Sequence, residues 1–215
     1  MSSSRVTRHG PLARAVHWIA AVSVLGLLGT AFLPILGLKF PWVAPHWMLG
    51  LVLTAVVLVH VASVLLRWKL RAMGVGGRDV SRVAAALSPG GTPKLPGKYT
   101  LAQKLMHHAV ASAGLVVIAT GLLMMARIDT PLWRRNPYLL EADVWGMVYV
   151  LHGFAALAFV SLVIVHVYFS LRPEKGFYLR AMLLGWMTRE EHAGHHDGSL
   201  WPPESRPRKR SGADG

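Results

Sequence analysis

Residues 145–171 read WGMVYVLHGFAALAFVSLVIVHVYFSL, a run without a single Asp, Glu, Lys or Arg. About 20 apolar residues suffice to cross the hydrocarbon core of a bilayer, so this stretch predicts a spanning helix. Two histidines interrupt it, His152 and His166, fourteen positions apart. At ~100° per residue, fourteen residues fall only ~40° short of four whole turns, so both rings project from one helix face. At 1.5 Å per residue they sit ~21 Å apart, near opposite membrane surfaces. Ionisable side chains inside a span are expensive and by default mark function.

Working outward, the same exclusion of charge recurs in 15–38, 46–66 and 105–126. Each is long enough to span, and the 215-residue chain has mean hydropathy +0.41 with only 15% charged residues. Ordinary soluble domains carry ~25%. The expected fold is therefore an all-α membrane protein, a four-helix transmembrane bundle over 15–171. A polar N-terminal segment, 1–14, precedes it, and a basic tail, 172–215, follows. The tail reads as disordered beyond Pro202 because it is rich in Pro, Ser, Arg and Lys. Arg78 to Leu87 predicts a short interfacial helix, and Ser88 to Gly97 an irregular connection rich in Pro and Gly.

The formal charge of +13 raises the question of nucleic acid. Its distribution answers otherwise. Nineteen of the 23 Lys and Arg lie in 1–14, 67–104 and 172–215, and the other four lie in 39–45 and 127–144. The two groups alternate along the chain, as loops on opposite sides of a membrane must. The positive-inside rule then places both termini and the 67–104 connection in the cytoplasm. No nucleic-acid partner is expected. The first apolar run is too long for a signal-peptide core and reads as a retained span.

The chain has no cysteine. Thiolate-held iron–sulfur clusters, covalent C-x-x-C-H haem attachment and disulfides are excluded. A metal or haem would have to be held by His or Met. On the outer side only His46 and His152 share a depth, which makes them the pair for an outer haem. On the inner side His166 is the favoured anchor, with His17, His60, His107 and His108 as candidates. Geometry alone leans to His60, which lies fourteen residues from His46 and would mirror the fourth span. His107 and His108 read as headgroup-level residues, and His192, His195 and His196 as solvated surface of a polar tail.

Several motifs carry a resemblance. Arg14-Ala-Val-His17-Trp18 resembles the R-x-x-H-W entrance of bacterial di-haem cytochrome b subunits. His46 with Gly50, the segment Gly97-Lys98-Tyr99-Thr100-Leu101-Ala102-Gln103-Lys104, and the closing Leu151-His152 … Val165-His166-Val167-Tyr168 resemble the membrane (gamma) subunit of respiratory formate dehydrogenases of the formate-dehydrogenase-N type. Together these motifs cover about residues 8–190. The resemblance implies two b haems, one on His46 and His152, the other on His17 and His166. It thereby favours His17 over His60. It also implies a quinone pocket, for menaquinone or ubiquinone, beside the inner haem at Lys98, Tyr99, Thr100 and Gln103. Thr100 stands where that family has Asn, and His60 where an apolar residue is expected.

The implied partners are an iron–sulfur (beta) subunit and, through it, a molybdenum- or tungsten-containing catalytic (alpha) subunit, in a trimer of heterotrimers. The expected function is electron transfer from that partner through two haems to quinone, with formate oxidised elsewhere. The alternatives are a cytochrome b of a nickel–iron hydrogenase, a free-standing haem b quinone oxidoreductase, and a haem-free membrane transporter or metal-binding protein.

Overall fold

The structure, a computed structural model, describes residues 5–66, 73–91 and 94–203. Four long helices make its body: α1 (Pro11–Phe32), α2 (Val43–Leu66), α4 (Leu101–Met124) and α5 (Ala142–Leu171), with α3 (Gly77–Leu87) between the second and third. A strand β1 (Arg5–Thr7) precedes α1, and α6 (Gly176–Leu184), β2 (Trp186–Thr188) and α7 (Arg189–His195) follow α5. All four long helices have the length and apolarity to cross a membrane. α1 packs mainly on α2 and α4 mainly on α5, and α2 touches α4 to join the two hairpins.

The outer faces of these helices are apolar and open. Val22 is 66%, Leu58 64% and Phe154 72% exposed. A protein in water would hide such a surface, whereas lipid tails solvate it. The backbone groups are closed within each helix, as the bilayer requires.

Helix boundaries follow local chemistry. Pro11 opens α1 at a position where its missing N–H costs nothing. α1 ends at Phe32 because Pro34 cannot continue the ladder, so the first helix is shorter than the charge-free run 15–38 suggested. α4 starts at Leu101, before the charge-free stretch begins, because Thr100 and Gln103 form a capping box there. α3 occupies the segment read as an interfacial helix. Its Asp79 accepts from the Lys104 ammonium at 2.8 Å, docking α3 on the start of α4. That bond is the main reason the carboxyl is held below its usual range.

The segment after Arg172 differs from the polar tail with solvated histidines that its composition predicts. Instead α6, β2 and α7 fold back over the start of α1. β2 pairs antiparallel with β1, with Arg5 opposite Thr188, Val6 opposite Met187 and Thr7 opposite Trp186. Val6, Met187 and Ala181 form a small core under this ribbon. His192 is only 3% and His196 1% exposed. The physical reason is that 5–14 and 172–203 supply each other with partners that neither has alone. Gly185 makes the turn between α6 and β2 at φ 93°, and its carbonyl accepts from the Arg8 and His9 amides at 2.8 and 3.1 Å. A side chain there would be strained and would meet the His9 carbonyl. The disorder expected beyond Pro202 falls on residues that, from 204, lie outside the described ones.

Candidate functional site

Three pairs of imidazoles meet between helices. At the end of the bundle far from the termini, His46 of α2 faces His152 of α5 with ring centroids 6.3 Å apart. At the other end His17 of α1 faces His166 of α5 at 6.1 Å. His60 of α2 faces His107 of α4 at 6.0 Å, with His108 beside it. His60 is therefore set against α4 and away from His166.

The far pair is held from behind by two threonines. Thr30 Oγ1 donates to the Gly26 carbonyl at 2.9 Å and lies 2.8 Å from His46 Nδ1. Thr120 Oγ1 donates to the Val116 carbonyl at 2.6 Å and lies 2.8 Å from His152 Nδ1. The Leu27 and Val117 carbonyls, at 3.0 and 3.4 Å from the same two hydroxyls, are further acceptors for them. An imidazole that binds a metal through Nε2 carries its proton on Nδ1, and in that tautomer each ring would donate to its threonine oxygen while the hydroxyl proton goes to a helix carbonyl. Gly121, one residue past Thr120, leaves room for the His152 ring, since a Cβ there would sit 3.4 Å from its Cε1.

The pair near the termini is placed by the residues flanking His17. Arg14 donates to the Leu183 carbonyl at 2.6 Å and the Trp18 indole to the Met182 carbonyl at 3.4 Å. These are carbonyls of the last turn of α6, which lack helical partners of their own. The R-x-x-H-W motif is therefore a clamp of α1 onto α6 that sets the height of His17.

Two imidazoles that shared one metal, at about 2.0–2.1 Å per metal–nitrogen bond with ring centres ~1.1 Å beyond, would have centroids up to ~6.3 Å apart. All three pairs stand near that separation, and His46–His152 and His17–His166 would hold one haem at each end of the bundle. Residues 8–185 match the family described as prokaryotic cytochrome b561. The chain belongs to that family. It is accordingly a multi-pass bacterial membrane protein that binds haem b and serves electron transfer. No curated protein matches the chain.

The loop read as quinone-binding is heavily engaged in this cytochrome. Thr100 Oγ1 accepts from the Gln103 amide at 3.2 Å, and Gln103 Oε1 accepts from the Thr100 amide at 3.1 Å. Two of the four side chains that the sequence offered to a quinone, Thr100 and Gln103, therefore cap α4. The Lys98 ammonium lies 5.6 Å from the centres of the Tyr99 and Trp201 rings. Burial pushes the Tyr99 phenol up.

Behind this loop lies a latch that sequence reasoning missed. Arg8, 3% exposed, donates from Nη2 to the Lys98 carbonyl at 2.8 Å and from Nη1 to His196 Nε2 at 3.0 Å. Its guanidinium also lies 4.6 Å from the Tyr178 ring centre and 5.3 Å from that of Trp201. Arg has donors only, so His196 Nε2 accepts and its Nδ1–H donates to the Gly97 carbonyl at 2.7 Å. Burial lowers the His196 pKa to about 4, although its bond to Gly97 opposes the shift. His9, whose ring lies 6.4 Å from that of Tyr99, is lowered to about 3 by burial and then by the positive charges around it. The R-H dipeptide at 8–9 and the histidines at 192–196 were visible in the sequence, but nothing there showed that they meet.

Proposed function

We propose that this chain is the membrane-anchoring cytochrome b subunit of a formate dehydrogenase complex, carrying two b haems. His46 and His152 hold one, His17 and His166 the other. The single observation that carries the two-haem reading is the pair of facing imidazoles at each end of one bundle, in a family that binds haem b. When bound, the haems supply one-electron carriers separated along the bundle axis, in a low-dielectric setting that shapes their potentials. The chain's own part is to fix four ring orientations and to keep water out.

With both termini in the cytoplasm, His46 and His152 lie at the outer face, where an iron–sulfur partner delivers electrons. His17 and His166 lie at the inner face, beside the loop from Gly97 to Lys104. Quinone is reduced there, with Lys98 and Tyr99 as the polar groups nearest to hand and protons drawn from the cytoplasm. Inward electron movement costs ~2.3 kcal/mol per 100 mV of membrane potential, so the donor must be strongly reducing. Formate meets that requirement, and the Gly97–Lys104 motif favours it.

The test has two stages. Acid–acetone extraction of the purified chain should release two haems per polypeptide, and a count of one or none refutes the di-haem assignment. Formate added to membranes that hold the native complex should then reduce both haems, and iron–sulfur and molybdenum or tungsten subunits should co-purify. The matched family's label, which refers to nickel-hydrogenase cytochromes, favours a second reading as a hydrogenase cytochrome b. Reduction by hydrogen and not by formate would select it.

A further inference from the structure

The two proposed haem sites are built differently. Nδ1 of His46 and Nδ1 of His152 each lie 2.8 Å from a threonine hydroxyl, to which a ring ligating through Nε2 would donate. Among the described residues, the rings of His17 and His166 have no such partner. Their surroundings instead offer the flanking Trp18, whose ring stands edge-on to His17 at 5.3 Å. The difference is local and repeated. Thr30 on α1 serves His46 on α2, and Thr120 on α4 serves His152 on α5. In each case the hydroxyl donates to the carbonyl four residues back and stands 2.8 Å from Nδ1 of the ring on the helix packed alongside.

A hydrogen bond from Nδ1 does two things to a ligating imidazole. It fixes the tautomer and the ring plane, and it raises electron density at Nε2. A more basic axial ligand stabilises ferric over ferrous iron and lowers the reduction potential. A chain of ring N–H to hydroxyl to carbonyl strengthens the effect, because each bond polarises the next.

We propose that Thr30 and Thr120 are positioning residues that make the His46–His152 haem the lower-potential centre of the two. The inference rests on the two-haem reading above and adds to it a direction. The lower potential lies at the end where electrons enter, so part of the work against the membrane field is met by a downhill step between haems. Valine is close to threonine in shape but lacks the hydroxyl, so it tests the bond without opening a cavity. Serine restores the hydroxyl.

The experiment is a spectroelectrochemical titration of the purified, haem-loaded protein and of the variants Thr30→Val, Thr120→Val and Thr30→Val with Thr120→Val. His152→Ala first identifies which spectral component is the far-end haem. If that variant loses neither component, the ligand assignment itself fails, independently of the threonines. With the assignment in place, each valine should raise the potential of that component alone. The expected shift is threefold to tenfold in the electron partition between the haems, tenfold being about 59 mV for a one-electron couple. Thr30→Ser and Thr120→Ser should return the native value. If the double variant loses the far-end haem, the single variants, each keeping one anchored ring, are read in its place. An unchanged far-end potential overturns the proposal, because the ring–hydroxyl bonds would then carry no weight at the iron. Equal shifts in both haems, or valine shifts that serine does not reverse, overturn it as well.

Discussion

Arg8→Met should release the cap formed by the two ends of the chain while leaving the spans intact. Arg8 is almost fully buried, and methionine can fill the space of its aliphatic stem. The substitution removes the bond to the Lys98 carbonyl at 2.8 Å and the bond to His196 Nε2 at 3.0 Å. Hydrogen bonds from a charged donor contribute ~1.5–3 kcal/mol each. Ring contacts to Tyr178 and Trp201 add ~0.5–1 kcal/mol apiece. Removing the guanidinium also removes its own cost of burial, which offsets part of that sum. A net loss of ~2–4 kcal/mol follows, which raises local opening ~30- to ~1,000-fold at ~1.4 kcal/mol per tenfold. Hydrogen-exchange mass spectrometry reads this directly in peptides covering 5–10, 94–100 and 186–201. Faster exchange there, with unchanged exchange in α2 and α5, is the expected result. Exchange in these peptides within ~3-fold of the native protein would refute the latch, since even 1 kcal/mol exceeds that. Arg8→Lys should rescue little, because one ammonium cannot span both acceptors.

His17→Ala should abolish one haem component while His60→Ala leaves both, because His60 faces His107 and His17 faces His166. The opposite result in difference spectra would return the inner ligand to His60. Acidification should loosen the cap. His196 and His9 stay neutral in the folded state down to about 4 and about 3, whereas in the unfolded chain they protonate near 6.5. The unfolded state therefore binds more protons below 6.5, and cap stability falls by up to ~1.4 kcal/mol per pH unit for each histidine. For His196 the loss levels off below about 4. Limited proteolysis of the C-terminal segment between pH 7 and 4.5 measures it, and His196→Asn should flatten the profile. Lys98→Leu should slow quinone reduction while donor-driven haem reduction persists, and unchanged turnover and inhibitor binding would place the pocket elsewhere.

Much of the bundle was legible because membrane physics writes plainly. Absence of charge over 145–171 and its three counterparts is a one-dimensional property, and each run closes its own backbone hydrogen bonds whatever its neighbours do. Each long helix starts three or four residues before its charge-free run, and local chemistry outranked hydropathy at Pro34 and at the Thr100–Gln103 cap. The C-terminal segment is illegible in the sequence for the complementary reason. Residues 172–203 look polar and self-sufficient in isolation, and their structure depends on a partner some 180 positions away.

The histidines divide along the same line. Their depths follow from position along a helix of known rise, so the sequence by itself determined that two levels of imidazole exist and that His46 and His152 share one. Depth carries no azimuth. Which of His17 and His60 faces His166 depends on how four cylinders are rotated and paired, and that is settled by packing of α1 on α2, α4 on α5 and α1 on α6. The threonines behind His46 and His152, the latch from Arg8 to His196 and the burial of His192 are of the same kind. Each is a contact between segments far apart in the chain, and only the tertiary structure brings such segments within hydrogen-bonding reach.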